Sequence, residues 1–250
     1  MPRKKKTEEE VEKQEEKQEE KQEEKSEEQS SSEEESVEEE SSKKSIIMLP
    51  PLFDMLGGGG KNEPKIRVLG MIGDVSEEKA SDLIYGMLSL RESGIREQLK
   101  NPEDPSSDII TTCEPMEMII STYGGSASDM FGIYDMMRAI RDDCEIHTTG
   151  LGKVMSAGVL ILAAGTKGKR RIGKNCRVMI HSVVGGTHGA MHNLENEMDE
   201  IRWIQERYIE TLVAESDMTK AMVKKMLGRK VNIYLTAQQA VEYGIADEVF

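Results

Sequence analysis

Excess positive charge, a hydrophobic run long enough to cross a bilayer, and an even set of cysteines are all missing from this 250-residue sequence. With 33 basic against 47 acidic residues the formal net charge is −14, so binding to a phosphate backbone through bulk positive charge is excluded, and nucleic acid is not an expected partner. No stretch of about 18 apolar residues occurs, and the basic start PRKKK runs into glutamates, so the reading is of a cytoplasmic protein with neither a membrane span nor a signal peptide. Three cysteines, Cys113, Cys144 and Cys176, are odd in number and lack metal-ligand spacing, which leads us to expect free thiols rather than a disulfide or a metal.

The acidity is concentrated at the start. Residues 1–45 hold 10 basic and 18 acidic side chains, a net −8, leaving −6 for the other 205 residues. The tetrad KQEE recurs at Lys13, Lys17 and Lys21, and KSEE follows at Lys25. Glu and Lys thus fall at helical spacing with almost nothing apolar to bury, so this segment is expected to be a solvated helix or disordered tail, serving as a solubiliser or a tether. A second segment, 46–64, carries the apolar patch IIMLPPLF and then four glycines, Gly57 to Gly60, that read as a hinge.

From residue 65 to 250 apolar runs alternate between the two periods of regular structure. IRVLGMIGDV reads as a strand, and the next run repeats Ala80, Leu83, Ile84, Met87 and Leu90 at helical spacing. After a loop at Asn101 to Ser107, MEMIIST is a strand that ends at Tyr123, Gly124 and Gly125. A helix follows, with Ser126 or Ser128 as its N-cap and Phe131, Tyr134, Met137 and Ile140 on one face. CEIHTTG, an apolar helix over Ser156 to Ala164, and NCRVMIHS continue the alternation, which is the pattern of an α/β fold with a largely parallel sheet. Met191 to about Ala214 is a long, charged amphipathic helix holding the sole tryptophan, Trp203. Near the end, Thr236 and Gln239 form a T-x-x-Q capping box before a helix stopped by Gly244.

Three places in this domain suit chemistry. Ser156 stands among small residues at the start of an apolar helix, where it is either a nucleophile beside unpaired N–H groups or a plain N-cap. It is not in a G-x-S-x-G elbow, because Val154 occupies the first glycine position. His181 closes a strand at the edge where parallel sheets carry their ligands, as a catalytic group or a structural one. Gly124 and Gly125 lie between strand and helix, either a tight turn or a pair of bare amides facing an oxyanion. His188 and His192 lie four apart, a spacing that reads as a surface pair rather than a metal site.

These signals occur in order along one domain, and each sits in a longer motif. IRVLGMIGDV, MIISTYGGSASDMFGIYDMMRAI, AAGTKGKR with NCRVMIHS, and LTAQQAVEYGIADEV together resemble the proteolytic subunit of the ATP-dependent Clp protease, from about Ile66 to Val249. The first 60 or so residues resemble nothing in that family. The resemblance implies an α/β, crotonase-like spiral of βαβ units with a projecting handle helix, built by the segment from Met191. It implies a serine endopeptidase with no cofactor, in which Ser156 is the nucleophile, His181 the general base, and Gly125 with Ala157 the oxyanion hole. It also implies self-assembly into a heptameric ring or two stacked rings, with polypeptide substrates fed by an AAA+ unfoldase. Five departures mark the chain: Tyr123 replaces the proline of the family's SPGG turn, two residues are inserted before Ser156, Ala157 replaces the usual methionine, Arg91 to Pro115 expands a helix-strand connection, and the position of the orienting aspartate falls on Asn232. The tail raises the alternative of a protease tethered to an assembly precursor. Asn232 raises that of a catalytically silent ring subunit, and the fold that of acyl-CoA chemistry.

Overall fold

The computed structural model describes residues 66–186, 188–229 and 231–250; the acidic tail and the hinge segment lie outside the described residues. The order is β1 (Val68–Ile72), α1 (Glu77–Gly94), β2 (Ile95–Leu99), β3 (Ile109–Cys113), β4 (Met116–Thr122), α2 (Ala127–Ile140), β5 (Ile146–Met155), α3 (Ala157–Ala163), β6 (Arg170–Ile172), β7 (Arg177–Ile180), α4 (Met191–Glu215), α5 (Lys220–Leu227), β8 (Ile233–Leu235), α6 (Ala237–Glu242) and β9 (Glu248–Val249).

The α/β expectation is met. Strands β1, β4, β5, β6 and β9 pair in that order, all parallel, while β7 pairs parallel with β5 and antiparallel with β8. The pivot is β5. Its first half, Thr148 to Gly150, holds β6, and its second half, Lys153 to Met155, holds β7, so two strands share one edge in succession. The break falls at Leu151 and Gly152, where Gly152 takes φ +64° and the register against β4 slips between Ile120 and Thr122. A bulge of this kind re-aims a strand, and here it turns the end of β5 towards β7. The strand runs five residues past CEIHTTG, the segment that the sequence marks as a strand. The sequence reading also left out β6, a three-residue strand within the charged run that follows AAGTKGKR.

Local chemistry sets the helix ends. Ser76, Ser126 and Thr219 accept hydrogen bonds from first-turn amides of α1, α2 and α5, and the Thr236–Gln239 capping box is present in full. Helix α3 is apolar on every side and is buried on every side, as such a helix must be. It sits between the sheet and the last turns of α4, where Tyr208, Ile209 and Leu212 are buried. Upstream in α4, Met191, Met198 and Trp203 stay exposed, although the Trp203 ring meets Phe131 edge to face at 6.5 Å.

Two buried ion clusters tie the elements together. Glu215, at the end of α4, accepts from Tyr134 Oη at 3.0 Å, Arg138 at 3.2 Å and Arg141 at 2.7 Å. Burial first, and the Glu215 charge second, push the Tyr134 hydroxyl up to about 12. Arg170 of β6 grips Asp247 and donates to the Glu215 backbone carbonyl, which clamps β6, β9 and α4.

Within residues 91–115, expected as an expanded connection, Ile95 to Cys113 form a hairpin. Strands β2 and β3 pair antiparallel as a separate two-stranded sheet, and the predicted loop at Asn101 to Ser107 is its tip. Arg67 pins its base, donating to the carbonyls of Leu90, Glu114 and Pro115. The hairpin corrects the cysteine expectation: Cys113, at the end of β3, lies beside Cys144, with Cα atoms 5.0 Å apart, and the two form a disulfide. Only Cys176 is free, and burial pushes its thiol up to about 11.

Candidate active site

Ser156 sits between β5 and α3 with φ +52° and ψ −119°, the only positive φ of a non-glycine residue among the described residues. Such a conformation is costly for a side chain with a Cβ and persists only where surrounding bonds hold it. Here the Ser156 N–H donates to Met179 O at 2.8 Å, tying it to β7, and its carbonyl accepts from Val159 N at 3.0 Å and Tyr208 Oη at 3.2 Å. The hydroxyl makes no capping bond to α3. The N-cap alternative therefore fails in its chemical content: the serine occupies the cap position without spending its side chain there. The strand, sharp turn and helix have the layout of a nucleophile elbow although the first elbow glycine is absent.

The glycine pair after β4 approaches the same point. A Cβ on Gly124 would lie 2.6 Å from Ser156 Cβ and 3.1 Å from its Oγ, and one on Gly125 would overlap the backbone of Val75. Their φ values are +107° and +151°. Both positions thus need glycine for close approach as well as for torsion. No hydrogen bond among the described residues uses the N–H of Gly125 or of Ala157, the first residue of α3. Ala157 follows the serine directly and Gly125 follows Gly124, which packs against Ser156, a placement that suits an oxyanion site.

His181 follows β7 directly, and Met179 pairs with Met155, so Ser156 and His181 leave the same ends of adjacent parallel strands. On β7 Arg177 is exposed while Val178, Met179 and Ile180 are buried, and strand alternation carried one residue past β7 puts His181 on the side of Arg177 and Met179. Asn232 comes from the other side. Strand β8 pairs Ile233 with Ile180, and the same register carried one residue further sets Asn232 opposite His181. No hydrogen bond of the described residues joins Ser156 Oγ, the His181 ring and the Asn232 amide. Contacts of this kind are often long in free enzymes and tighten with substrate.

Asp217 packs against Gly244, and its N–H donates to Tyr243 O at 2.9 Å. His188 and His192 are exposed at the entry to α4, and no group of three potential metal ligands occurs among the described residues. Sequence reasoning overlooked Tyr208, whose hydroxyl reaches back 52 residues to hold the Ser156 carbonyl. It lies on the buried face of α4, and nothing in its spacing signals a contact with the serine.

The model of the Clp protease family matches residues 107–250. Among curated relatives, an ATP-dependent Clp protease proteolytic subunit 1 from Prochlorococcus marinus subsp. pastoris is 37% identical over 147 residues, 59% of this chain and 69% of that protein. An ATP-dependent Clp protease proteolytic subunit 2 from Corynebacterium jeikeium is 35% identical over 189 residues, 75% of this chain and 79% of that protein. A model covering more than half of the sequence and relatives matched over most of their own length lead to one conclusion: the chain belongs to the Clp protease family, whose members are serine peptidases.

Proposed function

We propose that this chain is a serine endopeptidase acting inside a ring of its own copies, with Ser156, His181 and Asn232 as its catalytic set. What supports this most is Ser156 itself, held at φ +52° with no capping bond from its hydroxyl, next to the Gly125 and Ala157 amides, which have no acceptor among the described residues. In the reaction His181 takes the hydroxyl proton as Ser156 Oγ attacks a peptide carbonyl, and the Gly125 and Ala157 amides hold the oxyanion. Collapse expels the amine, which takes the proton from His181. Water activated by the same ring then hydrolyses the acyl-enzyme. The Asn232 side-chain carbonyl accepts from the far imidazole N–H and orients the ring, without the charge that a carboxylate would lend the imidazolium.

The relatives named as ATP-dependent proteolytic subunits favour a ring fed by an AAA+ unfoldase. The exposed Met191, Met198 and Trp203 of α4 are suited to contacts between rings. The acidic tail suits delivery of the protease to an assembly precursor. A second reading, a silent wall subunit of a mixed ring, draws on the neutral Asn232. A fluorophosphonate probe on the full chain decides between them. Labelling of wild type and not of S156A is the expected result, and absence of labelling in every assembly state overturns the peptidase.

A further inference from the structure

The outward face of the sheet beside Ser156 carries cations without counterions. Lys153 of β5 and Arg177 of β7 are register partners on adjacent parallel strands, and neither enters any ion pair among the described residues. Strands β5, β7 and β8 contain no acidic residue. On β4 the single carboxylate, Glu117, is six residues from Tyr123 and accepts from Thr149 Oγ1 at 2.9 Å. Like charges side by side cost stability, and this pair is kept in an acidic protein.

Each cation rests on an exposed tyrosine. Lys153 Nζ lies 4.2 Å from the ring centroid of Tyr123, which is 63% exposed, and Arg177 Cζ lies 6.0 Å from that of Tyr234, 50% exposed. Strand alternation puts Arg177, Met179 and His181 on one face, and the β7–β8 register puts Tyr234 and Asn232 on it too. Tyr123 adjoins Gly124, whose backbone touches Ser156. The strip and the candidate catalytic groups therefore share one surface, with Lys153 three residues, or about 10 Å, along the strand from Ser156.

We infer that Lys153 and Arg177, braced by Tyr123 and Tyr234, are specificity residues that select polypeptide substrates bearing acidic side chains about three residues from the scissile bond. The inference rests on the peptidase reading and deepens it. Stacking on the rings keeps the cations extended over the face, and a substrate carboxylate there meets two positive charges without displacing a resident acid. Because the whole chain is acidic, long-range repulsion opposes this preference, so any selectivity for acidic peptides has to come from local contact.

The test uses the full chain and two internally quenched peptides, identical except for Glu or Lys at the second to fourth residues on either side of the cleaved bond. We expect kcat/KM to favour the Glu peptide by about fivefold or more at low salt, with the ratio shrinking as ionic strength rises. The K153E/R177E double variant should invert that ratio. Should it fail to assemble, K153Q and R177Q singly should each lower it. A wild-type ratio within twofold of one, or a ratio unchanged in the variants, overturns the inference. Fluorescence anisotropy of the same peptides on S156A gives a readout independent of hydrolysis. Preferential binding of the Glu peptide without cleavage by wild type would keep the recognition strip and reject the peptidase, whereas equal binding of both peptides rejects the strip.

Discussion

Ser156 carries a positive-φ backbone at the junction of β5 and α3. Its φ of +52° is held by bonds to β7, α3 and α4, so the strain is met by three elements at once. S156A should keep the fold and lose peptidase turnover altogether, read by circular dichroism beside a fluorogenic peptide assay. Gly125 is less forgiving. G125A places a methyl into the Val75 backbone, and displacing that amide should lower kcat by about 10²- to 10³-fold, the usual loss for one oxyanion donor. Asn232→Asp should raise kcat at neutral pH, with the roughly 10⁴-fold loss for the converse change in a serine protease triad as an upper bound. A complete loss of turnover in N232D would show that another group orients His181.

At the scale of elements, the β2–β3 hairpin is tied by its disulfide to Cys144, just past α2. The bridge spans 31 residues, and the loop it closes contains β4, the glycine turn and α2. By loop entropy, reduction should lower the unfolding free energy by about 3–4 kcal/mol, measured by urea titration with and without dithiothreitol. C113S should show the lower stability and no response to reductant. The capping box before α6 is a smaller device of the same kind. T236A removes the bond to Gln239 N and should cost about 1 kcal/mol.

Across the whole molecule, the buried ion clusters join segments remote in sequence, and they set its response to acid. Burial alone would raise the Asp247 carboxyl, but the hydrogen bonds and charge of Arg170, with the Gly168 amide, outweigh it and hold the group below its usual value. A depressed carboxylate contributes stability that is present above its unfolded value near 4 and is lost as pH falls through the folded one. The urea midpoint should therefore fall on acidification below about pH 4, and part of that slope should vanish in D247N. At neutral pH the same substitution leaves Arg170 buried without its partner, so D247N should also be destabilised there, by about 3 kcal/mol.

Much of this was legible in the residues alone because it is local. Helical period marked α1, α2 and α4, side-chain oxygens marked the caps, and the order of strand and helix implied the α/β class. Ser156, His181 and Asn232 were each placed through the family resemblance. The hairpin and the disulfide were not legible, because Ile95–Leu99 and Ile109–Cys113 form strands only by pairing with each other, and a cysteine's partner depends on where the chain returns. Nor was the use of the Ser156 hydroxyl, since N-cap and nucleophile have the same local pattern. Composition and periodicity determine which segments become strands or helices and which face of each is apolar. Only the tertiary structure decides which strand ends meet, and with them whether a serine, an imidazole, two amides and a strip of unpaired cations share one surface, because register and the bend in β5 are set by contacts between residues far apart in the chain.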